Sequence, residues 1–238
     1  MKSHRHILIV GGGQGIGNVF AHYCVQKGWR VSSVSRTGKF NTPEIHSIVG
    51  DVTLEFDFHN ALKIAVDHNG PLTSLAFFQR ARGDGEMWKE HMEVSVQSID
   101  RAIAQSLGFF KNEGDKSIAI ACSTAAFFVA TEQNAAYHAS RTAQIGLMRY
   151  LAWKLGPHKI RVNCISIGTI IKPENEAFFQ SPSEKKSRCV KASPLGRMGN
   201  SLEVAAAAEF LCCESSSWIT GQNLVCDGGV SLAWPESI

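Results

Sequence analysis

The chain of 238 residues has no run of five basic residues, and its formal charge is only +3. A balance that weak leaves no electrostatic footprint for nucleic acid or an anionic membrane, and neither is expected as a partner. No apolar run approaches the roughly 20 residues that a membrane-spanning helix needs. Met1 to His6 lead into an apolar stretch of only four residues, Ile7 to Val10, which is not the pattern of a secretory signal. None of the seven cysteines lies in a CxxC or Cys/His ligand spacing, so no metal site is expected. Cys24, Cys122, Cys164, Cys212 and Cys226 lie in apolar stretches, where a free thiol packs as a small hydrophobe. The adjacent Cys212 and Cys213 read as helix packing rather than a disulfide. A reducing, cytoplasmic setting is the expectation. His4 and His6 are expected to be solvated on a frayed end rather than to bind a metal.

What the chain does contain is apolar mass in short, regular pieces. Hydrophobic residues make up 44% and charged residues 19%, enough for one sizeable core. Ile7 to Val10 predicts a buried strand, and Gly15 to Lys27 a helix stopped by Gly28. Trp29 to Val34 and Ile45 to Val49 predict two more strands, the second after the turn residues Asn41 and Pro43. Further helices are expected over Phe56–His68, Trp88–Phe110 and Asn134–Leu155, with strands over Leu72–Phe78, Lys116–Cys122 and Lys159–Ile165. A helix from Asn200 to Cys213, capped by Asn200 or Ser201 with Glu203 in its first turn, precedes a last strand, Asn223–Cys226. Strands alternating with helices predict right-handed crossovers and a parallel sheet covered on both faces, a single-domain α/β fold wound on both sides. One long irregular piece is expected, Lys172 to Pro194, which is polar and contains Pro173, Pro182 and the pair Phe178 and Phe179. Its length suggests a substrate lid, the alternative being a loosely packed surface excursion.

Val10-Gly11-Gly12-Gly13-Gln14-Gly15-Ile16-Gly17 falls between the first strand and the first helix. A pyrophosphate needs backbone N–H groups at a helix N-terminus and no Cβ to hold it off. Glycines in that setting predict a dinucleotide site; alone they would mark only a tight turn. The second strand ends in Ser33-Val34-Ser35-Arg36-Thr37, with a guanidinium and no carboxylate. A carboxylate there would bind a ribose 2′-OH, whereas arginine pairs with a 2′-phosphate. NADP(H) is therefore the preferred cofactor, NAD(H) remaining possible, and a simple solvent cap is the plainer role for Arg36. Asp51, after the third strand, is placed to accept from the adenine amino group or else to form a turn.

Tyr137 and Arg141 stand four residues apart on a predicted helix and so share a face. Ser123 ends the preceding strand, at the carboxyl edge where open α/β sheets bind ligands. A phenol to give a proton, a hydroxyl to polarise a carbonyl and a cation to stabilise phenolate make a carbonyl-reducing set. Tyr137-His138-Ala139-Ser140-Arg141, Ile160-Arg161-Val162-Asn163, Pro194 to Gly199, Ile219 to Gln222 and Asp227-Gly228-Gly229 complete the pattern. From about Ile7 to Ser231 the chain resembles the short-chain dehydrogenase/reductase family. The resemblance implies a seven-stranded parallel Rossmann-like sheet, nicotinamide-dependent oxidoreduction of a small carbonyl/alcohol pair, and a homotetramer or homodimer. It implies catalytic roles for Ser123, Tyr137 and Arg141, with Ser95 in the position of the family's asparagine. The cofactor-binding set it implies is Gly11, Gly13, Gln14, Gly15, Ile16, Gly17, Arg36, Asp51, Val52, Tyr137, Arg141, Gly168 and Ile170.

The departures from that family fall on one part of its mechanism. Arg141 stands where the family has its catalytic lysine, and Phe77-Phe78-Gln79-Arg80 replaces Asn-Asn-Ala-Gly. Ile167-Gly168 replaces Pro-Gly, a familiar threonine falls near Lys172, and Val10 takes the place of another. In the family, lysine, water and asparagine relay protons to solvent. Arginine can still hold a ribose and favour phenolate, but it does not surrender a proton. Re-protonating Tyr137 then needs another route, which His138, pointing off the Tyr137 face, is not expected to supply. The rival expectation is a cofactor-binding homologue with impaired catalysis, acting as a sensor or assembly subunit. Arg80 and Arg82 are open to three readings: binding an anion, crowding the cofactor, or salt-bridging to a nearby helix. Phe127 and Phe128 could line a pocket, core packing being the plainer role.

Overall fold

The computed structural model describes residues 5–38, 40, 42–81, 86–180 and 183–232. The expectations resting on His4, Asn41, Arg82 and Pro182 fall outside them. Strand β1 (His6–Val10) is buried along its whole length, as a strand covered on both faces must be. Its side chains alternate: Leu8 and Val10 enter one core, Ile7 and Ile9 the other. Around it stand β2 (Arg30–Ser35), β3 (Ile45–Val49), β4 (Ser74–Phe77), β5 (Lys116–Ser123), β6 (Ile160–Ile167) and the last strand of the chain, Asn223–Cys226. These seven strands lie in the order β3-β2-β1-β4-β5-β6 and then Asn223–Cys226, and every pair is parallel. One face is covered by helices Gly15–Gln26 (α1) and Ser201–Cys212, the other by Glu55–Asn69 (α2), Ser98–Ser106 and Ala135–Leu155. The α/β fold with a seven-stranded sheet and helices on both faces is as expected.

Strand order reverses between β1 and β4, and a crevice opens at their carboxyl ends. Three caps place the elements around it. Lys27 and Gly28 end α1, Gly28 adopting the φ of +79° that a side chain would strain. Asn134 accepts from the Tyr137 amide and starts Ala135–Leu155. Asn200, rather than Ser201, caps the helix Ser201–Cys212 in a reciprocal box with Glu203.

One expectation is refined and two need correction. The stretch 88–110 is helical as far as Phe109 but not one regular α-helix: α3 (Met87–Met92) passes through a π-helical turn, Glu93–Gln97, into α4 (Ser98–Ser106), and a 3₁₀ turn follows. Lys172 to Pro194 is not irregular either. A 3₁₀ turn at Pro173–Asn175 leads into two helices, Glu176–Gln180 and Glu184–Ala192, the second capped by the Ser183 side chain. With α5 as Ala135–Leu155, these two are α6 and α7; Ile170–Ile171 (β7) and Gly199–Asn200 (β8) form a two-stranded parallel ribbon, Ser201–Cys212 is α8, and Asn223–Cys226 is β9. α7 carries too few apolar residues to show a helical period in sequence. Finally, His6 is no solvated tail residue. It is buried, with Nδ1 against the Gly70 carbonyl at 2.6 Å and Nε2 against the Ser32 hydroxyl at 2.9 Å. All seven cysteines are free, and Cys24, Cys122, Cys164 and Cys212 are buried. Among the described residues no helix is long and apolar enough to cross a membrane.

Burial drives the His6 imidazole down to about 4, the Gly70 carbonyl opposing the shift. As pH falls, the unfolded chain therefore takes this proton before the folded one does. Stability is full above the ordinary imidazole value and is lost between about pH 6.5 and about 4, by about 3 kcal/mol. Chemical unfolding followed across that window should show the loss, and His6→Gln should flatten the pH dependence.

Candidate active site

A cleft of about 480 Å³ opens where β1 and β4 diverge and runs past the ends of β2, β3, β5 and β6. Its floor is the glycine turn. The Gly11 amide donates to the Val34 carbonyl at 2.9 Å, and the Phe78 amide donates to the Val10 carbonyl at 2.8 Å. Gly11 has φ +81°, and a Cβ there would lie 2.5 Å from the Gln79 nitrogen. Gly17 is equally confined, since its Cβ would lie 2.5 Å from the Gly11 carbonyl oxygen. The residues that follow open α1 in a way that suits a phosphate. Gln14, at the N-cap, makes no side-chain cap, and the first turn holds no acidic residue. The free N–H groups and the positive helix end thus face the cleft. This cradle fits the pyrophosphate of a dinucleotide.

The cleft is lined by Gly11, Gly13, Gln14, Gly15, Ile16, Gly17, Arg36, Asp51, Val52, Ser123, Tyr137, Arg141 and Gly168. It does not gather all the expected residues. Ile170 sits in β7 and packs with Ile165, Ile167, Val204 and Leu211, behind the cleft. Ser95, in the π-helical turn, is fully buried, its hydroxyl unpartnered among the described residues; its neighbours Glu93 and Val94 reach the cleft instead. Lining residues outside the expected binding set include Phe78, Gln79, Glu90, Lys172 and Glu174. Glu174 holds its Oε1 2.9 Å from the Cβ position of Gly15, beside the open helix end.

Local structure explains the chemistry that each side chain can do. Ser123 is the last residue of β5, and its Oγ accepts from the Ala125 amide at 3.2 Å. Asp51 turns the chain by accepting from the Thr53 amide and hydroxyl through Oδ1. Arg36 is exposed at the end of β2, and Arg80 is exposed at the cleft wall with no salt bridge among the described residues. The helix-pairing reading of Arg80 thus lacks a partner there. Phe127 and Phe128, stacked edge to face at 5.1 Å, are half-exposed rather than core.

Arg141 is almost wholly buried, and its guanidinium carbon lies 4.8 Å from the Tyr137 ring centroid. A cation over that face is attracted by the ring's quadrupole. Nη1 donates to Gln144 Oε1 at 2.8 Å, while Nε has no partner among the described residues. Gln144 is the residue that sequence reasoning missed here. It lies three positions beyond Arg141 on the same helix face, a spacing that could have drawn attention to it.

A parallel sheet with this strand order, a glycine turn at its reversal and an uncapped helix end facing the crevice define a dinucleotide-binding domain. A family profile described as "Enoyl-(Acyl carrier protein) reductase" matches residues 11–231. The chain is 29% identical over 194 residues to the A-factor type gamma-butyrolactone 1'-reductase (1S-forming) of Streptomyces virginiae, covering 78% of this chain and 75% of that protein. It is 27% identical to glucose 1-dehydrogenase of Gluconobacter oxydans, covering 96% and 92%. A short-chain type dehydrogenase/reductase from Mycobacterium ulcerans superposes with a TM-score of 0.83 at 26% identity, covering 96% and 90%. The ligand-free aldohexose dehydrogenase of Thermoplasma acidophilum shares the fold, with a TM-score of 0.85 at 24% identity over 98% and 96% of the two chains. The chain belongs to the short-chain dehydrogenase/reductase family of NAD(P)-dependent oxidoreductases.

Gln144→Leu should leave the buried Arg141 guanidinium short of an acceptor and lower stability by about 1–3 kcal/mol. Pairing it with Arg141→Met should recover most of that loss, as a double-mutant cycle read by thermal unfolding would show.

Proposed function

We propose that the protein is an NADP(H)-preferring oxidoreductase acting on a small carbonyl/alcohol pair, with Tyr137 as the acid–base group. The convergence of Ser123, Tyr137 and Arg141 with the glycine turn in one cleft carries this reading. A bound nicotinamide supplies or removes the hydride. The Ser123 hydroxyl, at the end of β5, orients the substrate oxygen by donating to it. Tyr137 gives that oxygen a proton in reduction and takes one back in oxidation. Arg141, over the ring, stabilises the negative charge left on the phenol and stands in for the family's lysine. Ser95 then acts at most through the π-helical turn that contains it.

Cofactor choice follows from the end of β2. With no carboxylate at the ribose position, Arg36 is free to pair with a 2′-phosphate, and NAD(H) would bind without that contact. Asp51 Oδ1 is committed to its turn, so an adenine amino group would be met by the other carboxylate oxygen. The segment from Lys172 to Pro194 would act as the substrate lid; α7 is tied by Lys185 to Glu132, in the loop beyond Ser123. Half-exposed Phe127 and Phe128 would give the mouth an apolar side. Tyr150 and Trp153 on α5, with Trp218 near β9, leave apolar surface that a homodimer or homotetramer would cover. The free thiols suit a reducing, cytoplasmic compartment.

A second reading, a cofactor-binding homologue with impaired turnover, draws on the buried Ser95 and the non-releasing Arg141. The two readings part on Tyr137. Tyr137→Phe should lower kcat/KM on a carbonyl panel by about 100-fold or more with NADPH affinity unchanged. A wild type that binds NADPH yet reduces no carbonyl would favour the second reading. In fluorescence titrations, Arg36→Ala should weaken NADPH binding about 10- to 100-fold, the loss of a charged hydrogen bond, and leave NADH binding unchanged.

A further inference from the structure

A tyrosine that gives up its proton once per turnover must recover it, and its neighbours differ sharply in what they can supply. Arg141 faces the ring, but a guanidinium does not release a proton near neutral pH, and its Nη1 is held by Gln144. His138 follows Tyr137 directly, yet both of its ring nitrogens are engaged by backbone. Nδ1 lies 2.8 Å from the Ala125 carbonyl and Nε2 lies 3.2 Å from that of Ala130. His91, on α3, is placed differently. Its ring meets Tyr137 edge to face, with centroids 5.8 Å apart and an interplanar angle of 79°. Its Nδ1 is buried and has no hydrogen-bond partner among the described residues. A buried imidazole nitrogen left unpaired beside a phenol calls for a function or a water. The helix changes to its π-helical turn two residues later, a distortion that recurs at functional sites.

From this geometry we infer that His91 is the proton-exchange group of the site, passing protons between solvent and the Tyr137 hydroxyl, directly or through one water. The inference rests on the reading of Tyr137 as the acid–base group. In reduction the Tyr137 O–H bond breaks and its proton goes to the substrate oxygen. One ring nitrogen of His91 then gives its proton to the phenolate, while the other takes a proton from solvent. The imidazole ends neutral as its other tautomer, and solvent exchange restores the first. The net transfer is one solvent proton to Tyr137, and oxidation runs the sequence backwards.

The surrounding charges suit this role. Arg141 from α5 and Arg80 beyond β4 face His91 together with the Tyr137 phenol, and Glu90 neighbours it on α3. Burial, then the two arginines, lower the imidazole from its ordinary value, Glu90 opposing them. The neutral ring therefore predominates at pH 7. The other nearby carboxylate, Glu93, is paired with Arg101.

The test uses the full chain with NADPH and a carbonyl that the wild type reduces. His91→Gln should lower kcat about 100-fold, with KM and NADPH affinity within about twofold. Run in the oxidation direction, with NADP+ and the alcohol product, wild-type kcat should fall on acidification below the ordinary imidazole range, because only a neutral His91 ring can take the Tyr137 proton. That limb should vanish in His91→Gln, and added imidazole should restore at least about fivefold of the lost rate. Unchanged NADPH affinity shows that the variant is folded. If His91→Gln keeps its kcat and acid limb while Tyr137→Phe is inactive, the assignment of His91 falls and the reading of Tyr137 stands. A fully active Tyr137→Phe would overturn both. NMR titration of His91 gives a readout without turnover: its midpoint should move in Tyr137→Phe, and an unmoved midpoint would overturn the proposed coupling.

Discussion

Where β1 and β4 part, the backbone of Gly11 comes so near that of Gln79 that not even a methyl group fits between them. The site depends on this close approach. It lets the glycine turn pass under the exit of β4, so the first helix points its uncapped end into the crevice. Phe78, the first residue beyond β4, then meets Phe20 of α1 with ring centroids 5.1 Å apart. A similar constraint acts on the far side, where a Cβ on Gly168 would lie 2.7 Å from that of Asp227. The cleft walls are therefore set by backbone against backbone, which a close-packed interior holds rigidly. Side chains can vary on that frame without moving it.

The chemistry rests on a different kind of constraint. A guanidinium buried beside a tyrosine must find acceptors or destabilise the fold. Gln144 supplies one, and the tyrosine face supplies an electrostatic partner. The same contacts that make Arg141 tolerable hold it against the ring. A cation so held can stabilise charge, but it cannot carry protons. On the proposed reading of Tyr137, that division of labour gives the imidazole beside the phenol its task.

The strands were legible because each is a short apolar run between turn residues, and the glycine turn because only glycine tolerates those contacts. Ser123, Tyr137 and Arg141 could be expected to converge from their places at a strand end and on one helix face, and one cleft brings them together. Other features left no such trace. The π-helical turn at Glu93–Gln97 has the same composition as ordinary helix, and α7 is too polar to show a period. His6 looked like tail because nothing local marks the Gly70 carbonyl and Ser32 hydroxyl that meet it. Ile170 lies just beyond β6, but its side chain packs into the core rather than lining the cleft.

By itself, then, the sequence determined the alternation of elements, the glycine turn between the first strand and the first helix, and an arginine four residues beyond Tyr137. Each of these is written in residue type and short spacing, where steric and hydrogen-bonding rules act locally. Tertiary structure alone decided which groups distant in sequence meet: Glu174 over Gly15, and His91 against Tyr137. The last pair lies 46 residues apart in sequence (137 − 91) and on separate helices. Only the packing of α3 on α5 brings the two rings together, and no local pattern encodes that contact.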